Sequence, residues 1–166
     1  MVGFLNPKRI IMEEIPLEKE MRIADLGCGS GGWAIPLAKR SKDAKIYAVD
    51  VLEEALSALR ARAQLERVHN IRTIKGDLEK GVELKSDFFD LVIISNVLFQ
   101  VEDKSSVIQE AHRILKKKGS VLIVDWSIKG DSVPKLIDKR ARGKGFHSLK
   151  DIEAGEDHFA KLYEKQ

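Results

Sequence analysis

Residues 23–33 read IADLGCGSGGW. Four glycines, Gly27, Gly29, Gly31 and Gly32, crowd behind one aspartate, Asp25, at the mouth of the loop. Gly27, Gly29 and Gly32 fit G-x-G-x-x-G, a pattern with meaning only where a strand leads in and a helix leads out. Both conditions hold on sequence grounds. RIADL (22–26) is short and apolar enough for a buried strand. The residues after the loop suit a helix that carries Pro36 near its first turn, where a missing N–H costs little.

Outward from this loop the pattern repeats. KIYAVD (45–50), NIRTIKGD (70–77), FDLVIISN (89–96) and SVLIVDW (120–126) are further near-continuous apolar runs. Between them, Leu52, Ala55, Leu56, Leu59 and Ala63 share one helix face, and so do Val107, Ile108, Ala111, Ile114 and Leu115. KKKG (116–119) then reads as the last turn of that second helix, with Gly119 ending it. Alternation of this kind predicts an α/β, doubly wound, Rossmann-like sheet with right-handed crossovers. Asn6 and Pro7 look like the cap and first residue of a short N-terminal helix over 6–15. PKLIDKRARG (134–143) suits a last helix, and 146–163 reads as a hairpin turning at 154–157.

The ligand is read from the carboxylates. Asp50 ends the second strand about 20 residues after the glycine loop, where a carboxylate accepts hydrogen bonds from both hydroxyls of a ribose. An adenosine-containing ligand follows, and a dinucleotide is the obvious candidate. Asp25 argues against it. A pyrophosphate beside a carboxylate meets a repulsion of about 4 kcal/mol per charge pair at 4 Å and an effective dielectric near 20. S-adenosyl-L-methionine, with a sulfonium and an ammonium, reverses the sign. The glycines then allow close backbone approach to its methionine portion. Asp77, past the third strand, is placed to accept from an adenine amino group, with Leu78 against the ring.

These pieces resemble the class I S-adenosylmethionine-dependent methyltransferases. The likeness rests on DLGCGSG (25–31), AVD (48–50), GD (76–77), FDLVIISNVL (89–98) and LKKKGSVLIVDW (115–126), and covers roughly residues 20–126. It implies a seven-stranded sheet in the order 3-2-1-4-5-7-6 with the last strand antiparallel. It also implies one methyltransferase domain over 1–166. An N-terminal helix in 1–18 would cover the cofactor site, 20–126 would form the cofactor-binding core, and 127–166 would supply the last helix and hairpin. The cofactor residues it implies are Asp25, Gly27, Cys28, Gly29, Asp50, Val51, Asp77, Leu78, Ser95 and Asn96. Ser95 and Asn96 would face the methyl group, and Asn96 is the weak candidate for a catalytic role, or else caps the next segment. SNVLFQ (95–100) departs from the Asn/Asp-Pro-Pro-aromatic signature of members that methylate planar amino groups. That speaks against adenine, cytosine or glutamine as acceptor.

Methyl transfer is an in-line displacement governed by positioning, so it need leave no signature triad. The expected acceptor is a small molecule with an O, N or C nucleophile. Alternatives are an RNA or protein docked through KRARGKG (139–145), or a non-catalytic cofactor-binding subunit that needs a partner. Blandly, KRARGKG is a solvated helix end. Cys28, the single cysteine, reads as a small packed residue, with a nucleophile as the sharper alternative. Trp33 and Trp126 either line the acceptor cavity or join the core. His69 and His112 read as surface residues, while His147 and His158 could meet across the hairpin and supply a general base. No pair of histidines has metal-ligand spacing, so no metal is expected. A chain of 166 residues, 43% apolar and 33% charged with a net charge of +3, suits one globular domain and neither demands nor excludes nucleic acid. MVGFLNPKRI (1–10) holds no long apolar run and no cleavage site, so no signal peptide, no membrane contact and a cytoplasmic location are expected.

Overall fold

In the computed structural model, which describes residues 3–128 and 130–166, seven strands form one sheet. In chain order the elements are α1 (Pro7–Glu13), β1 (Arg22–Leu26), α2 (Ala34–Arg40), β2 (Lys45–Asp50), α3 (Glu53–Leu65), β3 (Ile71–Lys75) and β4 (Phe89–Ser95). A 3₁₀ turn (Leu98–Gln100), α4 (Lys104–Ile114), β5 (Leu115–Trp126), α5 (Val133–Gly143), β6 (Phe146–Ile152) and β7 (His158–Lys165) complete it. The order is 3-2-1-4-5-7-6, with β7 antiparallel to both β5 and β6, as the sequence led us to expect. The expected N-terminal helix is α1, with Asn6 Oδ1 accepting from the Arg9 N–H at 3.1 Å; Met1 and Val2 of the 1–18 segment lie outside the described residues. Among the described residues no helix is long and apolar enough to cross a membrane.

The apolar runs are strands because both faces of the sheet are covered. Ile10, Leu37, Leu56 and Leu59 of α1–α3 pack with Ile23, Ile46 and Ile93 on one face. Val107, Ala111 and Ile137 of α4 and α5 pack with Leu26, Val92 and Ile94 on the other. A strand buried on both faces needs no polar alternation. Leu52 is an exception to the expected α3 face. It occupies the N-cap position and is exposed, so the buried stripe is Leu56, Leu59 and Ala63.

One feature differs from expectation. Lys116–Lys118 do not form the last turn of α4. The helix stops at Ile114, because Leu115 is extended, fully buried and paired with Phe89 of β4. The lysines lie in β5, in the irregular register between the pairs Phe89–Leu115 and Leu91–Ser120. Gly119 closes this bulge rather than the helix, since a Cβ there would sit 2.9 Å from the Lys116 carbonyl oxygen.

The crossover from β3 to β4, where no helical pattern was read, carries no helix. A loop whose backbone is buried must find partners for its N–H and C=O groups. Here α4 supplies them. Glu110 Oε1 accepts from the Val82 N–H at 2.9 Å, while Arg113 donates to the carbonyls of Leu84 (2.8 Å) and Val82 (3.1 Å) and to Ser86 Oγ (2.9 Å). Burial alone would raise the Glu110 carboxyl. The Arg113 guanidinium and the Val82 N–H outweigh it and hold the group ionised, below its usual range. Removing one partner of a buried pair leaves the other charge uncompensated. Arg113→Ala should therefore destabilise the chain by about 3 kcal/mol, read as a lower urea midpoint. An unchanged midpoint would mean that the loop is held by Val82 and Leu84 packing alone.

Candidate active site

The C-terminal ends of β1, β2, β3 and β4 open on one cavity of about 640 Å³. It lies where the chain reverses direction across the sheet, between β1 and β4, the place where open α/β sheets bind ligands. Gly27, Cys28 and Gly29 line it after β1, Asp50 and Val51 after β2, Asp77 and Leu78 after β3, and Ser95 and Asn96 after β4. Leu5 and Pro7 close one side from the N-terminal segment. Nine of the ten residues read from the sequence thus meet in one wall.

Asp25 is the exception. It lies beneath the glycine loop, 1% exposed, and is not part of the wall. Residues alternate sides along a strand, and Asp25 on β1 points into the protein rather than at the mouth of the loop. Its Oδ2 is buried without a hydrogen-bond partner. Burial, and then the neighbouring Asp50, push its carboxyl up to about 7, against a smaller opposing effect of the Ala34 N–H. A buried acid in this state favours any ligand that brings a positive charge.

Asp50 organises the loop it faces. Its Oδ2 accepts from the Gly29 N–H at 2.9 Å, and its Oδ1 accepts from the Leu52 N–H at 3.0 Å. A carboxylate oxygen carries two lone pairs, so each keeps one acceptor site for a ligand hydroxyl. Asp77 caps its own turn through the Glu79 N–H at 3.0 Å, which, with Lys80, holds its carboxyl below the usual range. The loop conformation demands Gly27. Its φ is +81°, and a Cβ there would overlap Val97. At Gly29 a Cβ would meet nothing within 4 Å, so open space lies directly over the backbone.

Among the described residues of the cavity wall there is no lysine, arginine or histidine, while Asp50, Asp77 and Glu79 line it and Asp25 lies beneath. Nothing here neutralises a pyrophosphate. The bare backbone at Gly29, the orphaned oxygen of Asp25 and the free lone pairs of Asp50 fit S-adenosylmethionine, with its cationic methionine end and its ribose.

The remaining candidates separate. Burial first, then Asp25 and Asp50, push the Cys28 thiol far above neutrality, so it stays protonated as a packed residue. Trp33 is buried in the wall, whereas Trp126 lies outside it, 45% exposed. His69 is exposed, and His112 is half-buried against Phe146. His147 and His158 do not meet: in the sheet register His147 faces Glu164, and His158 faces Trp126. Instead His158 Nε2 lies 3.0 Å from Asn96 Oδ1. Sequence reasoning missed that contact and missed Gln100 in the wall, for which no local pattern gives a signal; Leu5 and Pro7 belong to the N-terminal segment expected over the site but were not singled out for it.

Comparison with known proteins agrees with the geometry. Residues 17–165 match the family described as "Methyltransferase domain". The chain is 27% identical over 124 residues to a demethylmenaquinone methyltransferase of Geobacillus stearothermophilus, covering 74% of this chain and 53% of that protein. It is 31% identical over 135 residues to a ribosomal protein L11 methyltransferase of Acetivibrio thermocellus, covering 81% and 40%. It thus spans about half the length, or less, of these curated relatives. In fold it is similar to a SAM-dependent methyltransferase from Aquifex aeolicus, with a TM-score of 0.84 over 98% of this chain and 91% of that one at 18% identity. With the match running through nearly the whole chain, this protein belongs to the class I S-adenosylmethionine-dependent methyltransferase family.

Proposed function

We propose that this chain transfers a methyl group from S-adenosylmethionine to a small-molecule acceptor. The observation that carries the proposal is the cavity wall, acidic and, among the described residues, without a basic side chain, laid over a glycine loop. The bound cofactor would supply an electrophilic methyl on a sulfonium that needs no further activation as a leaving group. The chain's own task is binding and alignment. Asp50 would accept the ribose hydroxyls, and Asp77 and Leu78 would hold the adenine. Gly27, Cys28 and Gly29 would lie along the methionine portion with Asp25 as its buried counter-charge. Val51 would flank the nucleoside, and Ser95 and Asn96 would face the methyl. In-line attack then needs the acceptor atom held about 3–3.5 Å from that carbon.

A small acceptor is supported by what lies beyond Asn96. Phe99 and Trp126 are 55% and 45% exposed, with their rings edge to face at 6.4 Å, and offer an apolar wall. The basic cluster lies elsewhere. None of Lys139, Arg140, Arg142 and Lys144 lines the cavity, and Arg142 is paired with Asp138 at 2.8 Å. One relative is named for demethylmenaquinone and another for ribosomal protein L11, so both acceptor classes have precedent among relatives.

Incubation with methyl-labelled S-adenosylmethionine and a fractionated cell extract tests the proposal. Label should appear in the small-molecule fraction. Label in RNA or protein, lost when Arg140 and Arg142 become Ala, would replace the acceptor assignment. Tight cofactor binding with no label transferred to any fraction would contradict catalysis by this chain alone.

A further inference from the structure

At the rim of the cavity three distant segments converge on one imidazole. His158, at the start of β7, has a side chain only 5% exposed. Its Nδ1 lies 2.9 Å from Asp157 Oδ1 and its Nε2 lies 3.0 Å from Asn96 Oδ1. The ring lies 4.2 Å, centroid to centroid, from Trp126. Asn96 lines the cavity beside Ser95, is held at φ +55°, and is tied through its backbone to Val124 (2.9 Å) and to the Gln100 side chain (2.8 Å). Only its side-chain amide is left to turn.

Hydrogen-bond chemistry makes this contact a two-position device. An ionised carboxylate only accepts, so Asp157 keeps a proton on Nδ1. With Asn96 Oδ1 facing Nε2, that nitrogen would also carry a proton, so this orientation of the amide belongs with the imidazolium and the reverse orientation with the neutral ring. When Nε2 loses its proton, two lone pairs face each other at 3.0 Å. A half-turn of the Asn96 amide relieves this and puts Nδ2–H on Nε2.

We propose that His158 is a positioning residue that sets which end of the Asn96 amide the cavity presents to the methyl acceptor. With His158 neutral, Oδ1 faces the cavity and accepts from an O–H or N–H nucleophile, aligning its lone pair with the methyl. As the new bond to carbon forms, the C–S bond breaks with its electron pair left on sulfur, and the nucleophile's proton is released to water, since an amide oxygen aligns the proton but does not keep it. With His158 charged, the amide NH₂ faces the cavity instead and ties up that lone pair. The inference rests on the methyl-transfer proposal and narrows its acceptor to protic oxygen or nitrogen nucleophiles. Transfer then rises with pH as the ring loses its charge.

The other charges around the ring are accounted for. Asp125 of β5 is fully buried and accepts from the Phe99 and Trp126 N–H groups at 3.2 and 2.8 Å. On the hairpin side, Lys135, Asp138, Asp151, Glu153 and Lys161 share a second cavity with His158, and Lys161 pairs with Asp138 and Asp151 at 3.0 and 3.5 Å.

Nitrogen-15 NMR of the full chain, followed from pH 5 to 9 with and without S-adenosylmethionine, tests this. The Asn96 Nδ2 protons should shift and exchange more slowly at the same midpoint at which His158 Nε2 loses its proton, with Nδ1 protonated throughout. In His158→Ala the pH-dependent shift of Asn96 should vanish. An Asn96 amide indifferent to the His158 titration, or a neutral ring protonated on Nε2, would overturn the proposal. The same samples report cofactor binding separately. Coupling seen without binding of S-adenosylmethionine would refute the methyl-transfer reading while leaving the amide switch in place.

Discussion

Asp50→Ala weakens S-adenosylmethionine binding by about 100-fold in titration calorimetry. Two effects add. A hydrogen bond to a charged group contributes about 1.5–3 kcal/mol, and the Asp50 carboxylate has free lone pairs for both ribose hydroxyls. Even the lower figure for two bonds reaches about 3 kcal/mol, or two powers of ten. The same carboxylate also orders the glycine loop through the Gly29 N–H and its own turn through the Leu52 N–H. Asp50→Asn keeps the acceptor oxygen but loses the charge, so it should fall between wild type and Ala. Asp77→Ala should cost less than Asp50→Ala, because the Asp77 carboxylate is already tied to the Glu79 N–H and paired with Lys80. Unchanged affinity in Asp50→Ala would remove Asp50 from the ribose site.

Asp25→Asn should move stability and binding in opposite directions. The Asp25 carboxyl is pushed up to about 7 in the folded chain, by burial first and by Asp50 second. In the unfolded chain it titrates near 3.9. Between these values the folded state holds the proton and the unfolded state does not. This group's contribution therefore falls as pH rises from about 4 to about 7, by about 4 kcal/mol in all, and levels off above. Asparagine removes that dependence, at a cost of about 1–3 kcal/mol for a buried amide that lacks partners. The variant should be more stable than wild type at pH 8 by about 1–3 kcal/mol and no more stable at pH 5. Its cofactor affinity should nevertheless drop by about 10- to 100-fold, since a buried counter-charge is lost. Urea melts at the two pH values and calorimetry at pH 8 give the three numbers. A variant less stable at pH 8 would show that the Asp25 charge is already compensated in the free protein.

The sheet was legible because burial on both faces leaves near-continuous apolar runs in β1, β2, β4 and β5, whereas β3 (IRTIK) lies at the edge with no fully buried residue and was read from its place in the alternation. The end of α4 was not. KKKG carries every local mark of a helix C-terminus, and only the burial of Leu115 against Phe89 draws the chain into the sheet. The crossover from β3 to β4 was equally silent, because its partners, Glu110 and Arg113, are contributed by α4, some 30 residues away. In the site, residues just past a strand could be read because parallel strands all deliver their ends to one edge. The depth of Asp25 depends on which side of β1 it faces, which a doubly buried strand does not encode. The contact between Asn96 and His158 spans 62 residues and exists only because β7 enters antiparallel between β5 and β6.

The most direct test is one calorimetric comparison. The purified chain is titrated at pH 8 with S-adenosylmethionine and, separately, with NAD, and the first titration is repeated at pH 6. A pocket that is acidic because its guest is cationic binds S-adenosylmethionine, binds it more weakly at pH 6 as Asp25 takes up a proton, and gives no heat with NAD. Heat with NAD and none with S-adenosylmethionine would contradict the account.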